Sequence, residues 1–242
     1  MLSNIYHTIL VSPLLNLLVF FYNLLWSDIG LAIIAVTVLV RLILYPSFKH
    51  QLESQKKLSE LQPQLQELRK KHKDDKEAQS KAMMDFYKNN KVNPFGSCLP
   101  MLIQLVILFA LYRVFLTGLN GEILNQLYSF VPNPGEINPV SLGFINLAES
   151  SLVLAVITGI AQFFQSKLMT KFTPKSVKNG KDAGGMMTNM MSTQFVYIFP
   201  VITVVIGMRL PSGLVIYWLI TTLFAVGQQY FIMRGKSKTA NQ

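Results

Sequence analysis

The chain has 242 residues, of which 51% are hydrophobic and only 14% charged, with a mean hydropathy of +0.37. Soluble domains carry about 25% charged residues, so an ordinary water-soluble domain is excluded. The 22 Lys+Arg outnumber the 12 Asp+Glu for a formal net charge of +10, yet a basic nucleic-acid-binding domain is not also this apolar. The single cysteine, Cys98, excludes an intramolecular disulfide or a cysteine zinc cluster, and His7, His50 and His72 are too scattered for a histidine metal site. The composition is that of an integral membrane protein.

In chain order, residues 1–28 hold an apolar stretch, Ile9–Trp26, interrupted by Ser12, Pro13, Asn16 and Asn23. No basic segment precedes it, so it does not read as a cleaved signal peptide. Asn16 and Asn23 lie one heptad apart and share a helical face. The reading is a helix over Pro13–Trp26 lying in the outer interface; a sixth crossing is the alternative. The first span is 29–48. Residues 49–92 follow as the one substantial polar piece: Leu58, Leu61, Leu65, Leu68 and His72 keep the 3-4 spacing of a coiled-coil seam. Lys71–Asp75 is turn-like, and Ala78, Ala82, Met83 and Phe86 give a return helix its apolar face. This predicts a helical hairpin, with Pro63 kinking its first arm; a solvated charged hairpin without a docking role stays open.

The second span covers 93–117 (apolar from Phe95), an outer loop covers 118–150, and the third span covers 151–170. A loop over 171–192 leads to the fourth span, 193–210. Only Pro211 and Ser212 separate it from the fifth, 213–233, and a tail covers 234–242. Each run is close to the ~20 apolar residues that a membrane helix needs. Residues 1–28 and 118–150 contain no Lys or Arg, whereas the 49–91 segment, the 171–192 loop and the tail are rich in them. The positive-inside rule then puts the N-terminus outside and the C-terminus inside. The fold class expected is all-α: five transmembrane helices, an N-terminal interfacial helix and a cytoplasmic helical hairpin.

No catalytic constellation is visible. No span contains a histidine to serve a nucleophile, and none contains Asp or Glu, which removes aspartyl proteolysis and acidic proton relays. Gly184-Gly185 lacks the lysine-serine of a phosphate loop. An enzyme is not expected, nor any cofactor or metal.

One charge stands out. Arg41 lies inside the first span, roughly 12 Å from Lys49 at 1.5 Å per residue, where an arginine costs on the order of 2.5–3.5 kcal/mol. Snorkelling to the inner interface is one reading. Against it, Thr37, Arg41 and Tyr45 share one face. Similar polar faces occur on the third span (Thr158, Gln162, Gln165) and the fifth (Trp218, Thr221, Thr222, Gln229), and the second carries Ser97 and Gln104. Uncharged faces around one cation suggest a shared hydrated cavity that lowers the barrier for polar, above all acidic, segments of a translocating chain. Interhelical hydrogen bonding is the plainer alternative for the glutamines and threonines. Met186, Met187, Met190 and Met191 form an adaptable apolar cluster in a loop made pliant by Gly180, Gly184 and Gly185; ordinary packing explains them equally well.

Several motifs occur together. Asn93-Pro94, then Gly96-Ser97-Cys98-Leu99-Pro100-Met101-Leu102-Ile103-Gln104 and Ala110-Leu111-Tyr112-Arg113 mark the second span. Pro211-Ser212-Gly213-Leu214, Tyr217-Trp218 and Gln228-Gln229 mark the fifth. Arg41 with Tyr45-Pro46, and Leu61-Gln62-Pro63, complete the set. In this order, from about Ser12 to Met233, the chain resembles the YidC-type membrane protein insertases. The resemblance implies a five-span core in a bacterial cytoplasmic membrane, with a hydrophilic groove closed on the outside. Arg41 would be the groove arginine, with Gln162 and Trp218 lining it. Nascent membrane proteins would be the substrates; the Sec translocon, ribosomes and signal recognition particle components would be partners. The chain lacks the extra first span and large periplasmic domain of the Gram-negative form and a lipobox cysteine near its start, so lipid anchoring is not expected. The short tail argues against a strong ribosome-binding extension.

Overall fold

Helices account for most of the computed structural model, which describes residues 6–73, 75–92, 99–118, 124, 126–170 and 194–237. α1 (His7–Leu24) opens with a π-helical turn, His7–Val11, and continues as α-helix from Ser12. The change falls beside Pro13, which has no N–H to continue the ladder of the preceding turn. α2 (Ile29–Ile43) starts at Asp28, whose carboxylate accepts from Gly30 N (2.8 Å) and Leu31 N (3.0 Å), a capping arrangement that satisfies two orphan donors. α3 (Tyr45–Lys71) runs through Pro63, and α4 (Lys76–Asn89) repeats the aspartate cap at Asp75. α5 (Leu99–Gly118) is followed by a loop holding two short strands, β1 (Val140–Ser141) and β2 (Ile145–Asn146). α6 is Leu152–Thr170; α7 opens with a π-helical turn, Gln194–Ile198, and continues over Phe199–Gly207; α8 is Ser212–Ser237.

By length and composition α1, Leu152–Met169 of α6 and Ser212–Ile232 of α8 can each cross a bilayer, and α2 makes a fourth if taken with the start of α3. Among the described residues the expected second and fourth spans are represented by shorter apolar helices, Ile103–Val114 and Val196–Gly207. α1 begins at His7, six residues ahead of the expected Pro13, because the π-helical turn carries the helix back past the proline. The strands add a β-hairpin to the all-α reading. Leu142 and Gly143 both have positive φ (51° and 79°), and Phe144 N donates to Ser141 O at 3.2 Å, the pattern of a hairpin turn whose twist suits paired strands.

The described residues group into two units. The first is drawn from 1–44, 102–162 and 201–225. Its core sets Val11, Leu15, Leu18 and Val19 of α1 against Ile29, Ala32, Ile33 and Val36 of α2, with Ala110, Leu111 and Val114 of α5 and Leu214 and Tyr217 of α8. Burial of this kind contributes ~1.5–3 kcal/mol per large side chain where water is the alternative. The loop that follows α5 is stitched to this core. Asn16 Oδ1 accepts from Tyr128 N (2.6 Å), Tyr22 Oη from Asn138 N (3.1 Å), and Asn23 Nδ2 donates to Pro132 O (2.7 Å). Asp28 also accepts from Ser141 Oγ and Leu142 N, both at 2.6 Å. At the start of α8, Ser212 N donates to Glu149 O (2.8 Å) and Gly213 N to Leu147 O (3.1 Å).

Small residues let two helices of this unit approach closely. A Cβ at Gly207 of α7 would lie 3.0 Å from Ala155 Cβ of α6, the kind of contact that packs helices in lipid. Gly207→Leu is therefore expected to separate α7 from α6 and lower the detergent-solubilised melting temperature by several degrees, whereas Ala155→Gly should shift it much less.

The second unit is drawn from 45–101, 163–200 and 226–242. Here α3 pairs with α4. Leu65, at the middle of the leucine seam, is only 1% exposed, and Leu58, Leu61, Leu68 and His72 are half-buried. Gln79 Nε2 closes the turn by donating to Arg69 O (2.9 Å) and His72 O (3.4 Å), occupying carbonyls that a helix end leaves open. Cys98, the four methionines at 186, 187, 190 and 191, and the glycines at 180, 184 and 185 lie outside the described residues.

Candidate functional site

The site begins with the helical spacing of α2. Thr37 and Arg41 lie one turn apart and are buried, Arg41 at 6% exposure, so the guanidinium turns into the protein and away from acyl chains. Arg41 Nη2 donates to Gln104 Oε1 at 3.2 Å, and Gln104 Nε2 donates to the phenol oxygen of Tyr217. The polarity of this chain is dictated by its charged end. A guanidinium only donates, so the amide oxygen must face it, the amide nitrogen must face Tyr217, and the phenol oxygen must accept. A hydrogen bond to a charged group contributes about 1.5–3 kcal/mol, comparable with the ~2.5–3.5 kcal/mol cost of an arginine in a span. Gln104 thus makes the cation tolerable without neutralising it.

The other expected residues fall into two groups. Thr37 Oγ1 donates to Ile33 O (2.6 Å), and Thr158 Oγ1 to Leu154 O (2.8 Å). Both hydroxyl protons are therefore used on their own helices, the usual alternative for threonine at a helix interior. Gln162 is buried one turn beyond Thr158; Thr221 and Thr222 are buried on α8, and Trp218 is half-buried. All of these belong to the first unit, as do Arg41 and Gln104; Gln165, half-buried, belongs to the second. The hydrogen-bonded triad Arg41–Gln104–Tyr217 links three helices, α2, α5 and α8. Tyr217 was missed as a site residue. Its position one turn before Thr221 put it on the polar face, but only inter-helix register identifies its partner. In the second unit, Gln228 Nε2 and Gln229 Oε1 are buried without a hydrogen-bond partner.

The sequence matches the family described as 60Kd inner membrane protein over residues 20–240. It is 37% identical over 208 residues to the membrane protein insertase YidC of Fusobacterium nucleatum, covering 86% of this chain and 87% of that one. To the membrane protein insertase YidC of Clostridium perfringens it is 38% identical over 211 residues, 86% of this chain and 79% of the relative. Against the same-named protein of Geobacter sulfurreducens the identity is 34% over 230 residues, covering 94% of this chain but 38% of that longer protein.

Proposed function

Because the chain belongs to the YidC family of 60Kd inner membrane proteins, we propose that it inserts newly made membrane proteins into a bilayer along the polar face that holds Arg41. The observation that carries this reading is a guanidinium held inside the first unit by a neutral amide. Such a cation keeps its charge at any physiological pH, and its field lowers the cost of bringing a carboxylate to membrane depth. A substrate's acidic flank would exchange with Gln104 for the guanidinium, while its apolar segment moves into lipid. Thr37, Gln104, Thr158, Gln162, Trp218, Thr221 and Thr222 line this path in our reading, and Gln165 extends the α6 face. The reaction is transfer between environments, with no covalent step and no cofactor.

The proposed layout has five spans in a bacterial cytoplasmic membrane, with the N-terminus outside and the C-terminus inside. α1 is held at the outer side, and two features support this: its polar stripe, Asn16, Tyr22 and Asn23, bonds to the 126–138 loop, and that loop contains no Lys or Arg. The α3–α4 hairpin would receive substrate on the inner side, with the Sec translocon, ribosome and signal recognition particle components as partners for some clients. The test is reconstitution of the purified chain alone in liposomes with a short single-span substrate. Protease protection of the substrate above that in empty liposomes is expected; equal protection would overturn the proposal.

A further inference from the structure

We propose that Trp26, Leu142 and Phe144 form one wedge that seats in the headgroup–acyl boundary of the outer leaflet, so that lipid is the partner of this surface. Trp26 is 86% exposed, Phe144 76% and Leu142 59%. Two of them stand on unfavourable backbone: Trp26 has φ 52° and Leu142 φ 51°. Positive φ is an outlier for bulky side chains, and strain of this kind persists where the surroundings hold it for a purpose. Neither side chain recovers that cost by packing inside the chain.

The two protrusions are more than a hundred residues apart in sequence, yet one carboxylate joins them. Asp28, two residues after Trp26, accepts from Ser141 Oγ and Leu142 N at 2.6 Å each, and Ser141 is buried. Their level is set by helix starts. Asp28 caps α2, and the same loop receives the first amides of α8 through Leu147 O and Glu149 O. Where membrane-length helices begin, the hydrocarbon ends. Along the chain the patch continues into α1 through exposed Leu24 and Phe20. Aromatic and aliphatic tips at this depth, beside a hydrogen-bonded carboxylate on the water side, are the chemistry of an interfacial anchor. The inference rests on the chain crossing a bilayer and not on its acting as an insertase.

The test uses the full chain in nanodiscs. Trp218→Phe leaves Trp26 as the sole tryptophan of the 2 present. Blue-shifted emission is expected, lost most strongly with phospholipid brominated near the headgroup and less with bromine near the chain end. A second variant, Cys98→Ser with Phe144→Cys, carries a nitroxide whose accessibility to oxygen and to an aqueous nickel chelate reports depth; about 5–10 Å below the surface is expected. Trp26 quenched by aqueous iodide rather than by brominated lipid would overturn the proposal. So would strongest loss with chain-end bromine, or shielding from every quencher, which would mark burial against another protein.

Discussion

Arg41→Ala is expected to slow insertion of substrates with acidic outward-going flanks about tenfold, while substrates with neutral flanks change less than about twofold. At ~4 Å and an effective dielectric near 20, two unit charges attract by about 4 kcal/mol. Competition from Gln104 and from water reduces the usable part to ~1–2 kcal/mol, which is about tenfold in rate at 1.36 kcal/mol per decade. The measurement is a paired time course in proteoliposomes with two substrates differing only in flank charge. Arg41→Lys should retain much of the activity on acidic flanks if charge is what matters, although lysine lacks the planar fork. Gln104→Leu should slow mainly the acidic-flank substrate, and by less than Arg41→Ala, because it keeps the charge but releases the guanidinium from the position that Gln104 and Tyr217 define. Equal slowing of both substrates by Arg41→Ala would refute the electrostatic account and leave a packing role.

The second large effect is expected where Asp28 joins the start of α2 to the β1–β2 hairpin. Asp28→Ala should destabilise the first unit by about 2–3 kcal/mol: a lost helix cap costs ~1 kcal/mol, and charged hydrogen bonds contribute ~1.5–3 kcal/mol, less what water replaces at this half-exposed site. Asp28→Asn keeps the cap and should cost less. Burial alone would raise the Asp28 carboxyl, but the hydrogen bonds from Leu142 N, Ser141 Oγ, Leu31 N and Gly30 N outweigh it and hold the group below its ordinary value. A depressed carboxyl stabilises the fold above the unfolded value, near 3.9, and that contribution disappears as pH falls through the lower folded value. Wild type should thus lose stability on acidification below about pH 4, and Asp28→Ala should show a smaller loss there. Gly30→Ala should resemble Asp28→Ala, because its Cβ would collide with the Ser141 hydroxyl and lie 2.8 Å from Ser141 Cβ. Melting curves at two pH values check all three variants.

What the sequence made legible were elements whose signals are local. Leu65 marks a 3-4 seam that any helical wheel reveals, and Asp28 and Asp75 sit where helices start. Asn16 and Asn23 declared a polar face, but the loop amide and carbonyl that they bind lie more than a hundred residues away. The hairpin at Val140–Asn146 escaped because two-residue strands are too short for an alternating pattern to register. At the site, Arg41 was conspicuous because charge in an apolar span is rare. Gln104 was legible as a polar position of the second span, and Tyr217 only through its place in a motif and its spacing to Thr221: their union depends on the register of three helices. Thr37 and Thr158 were legible as polar positions on helix faces, but not that each donates its hydroxyl proton to a carbonyl one turn back.

The first turn of α8 is fastened by the main-chain oxygens of Glu149 and Leu147. Ser212 Oγ joins the clasp by donating to Glu149 O at 2.6 Å, but on the accepting side it is made of peptide oxygens and has no side-chain spelling. The clasp itself asks nothing of the Glu149 side chain, whose carboxylate accepts separately from Asn146 Nδ2 at 2.8 Å, but it does fix the count of residues between the clasp and the helix that follows it in space. Removing or adding one residue there would offer Ser212 an oxygen facing the wrong way, so natural selection would act on the ruler rather than on the alphabet.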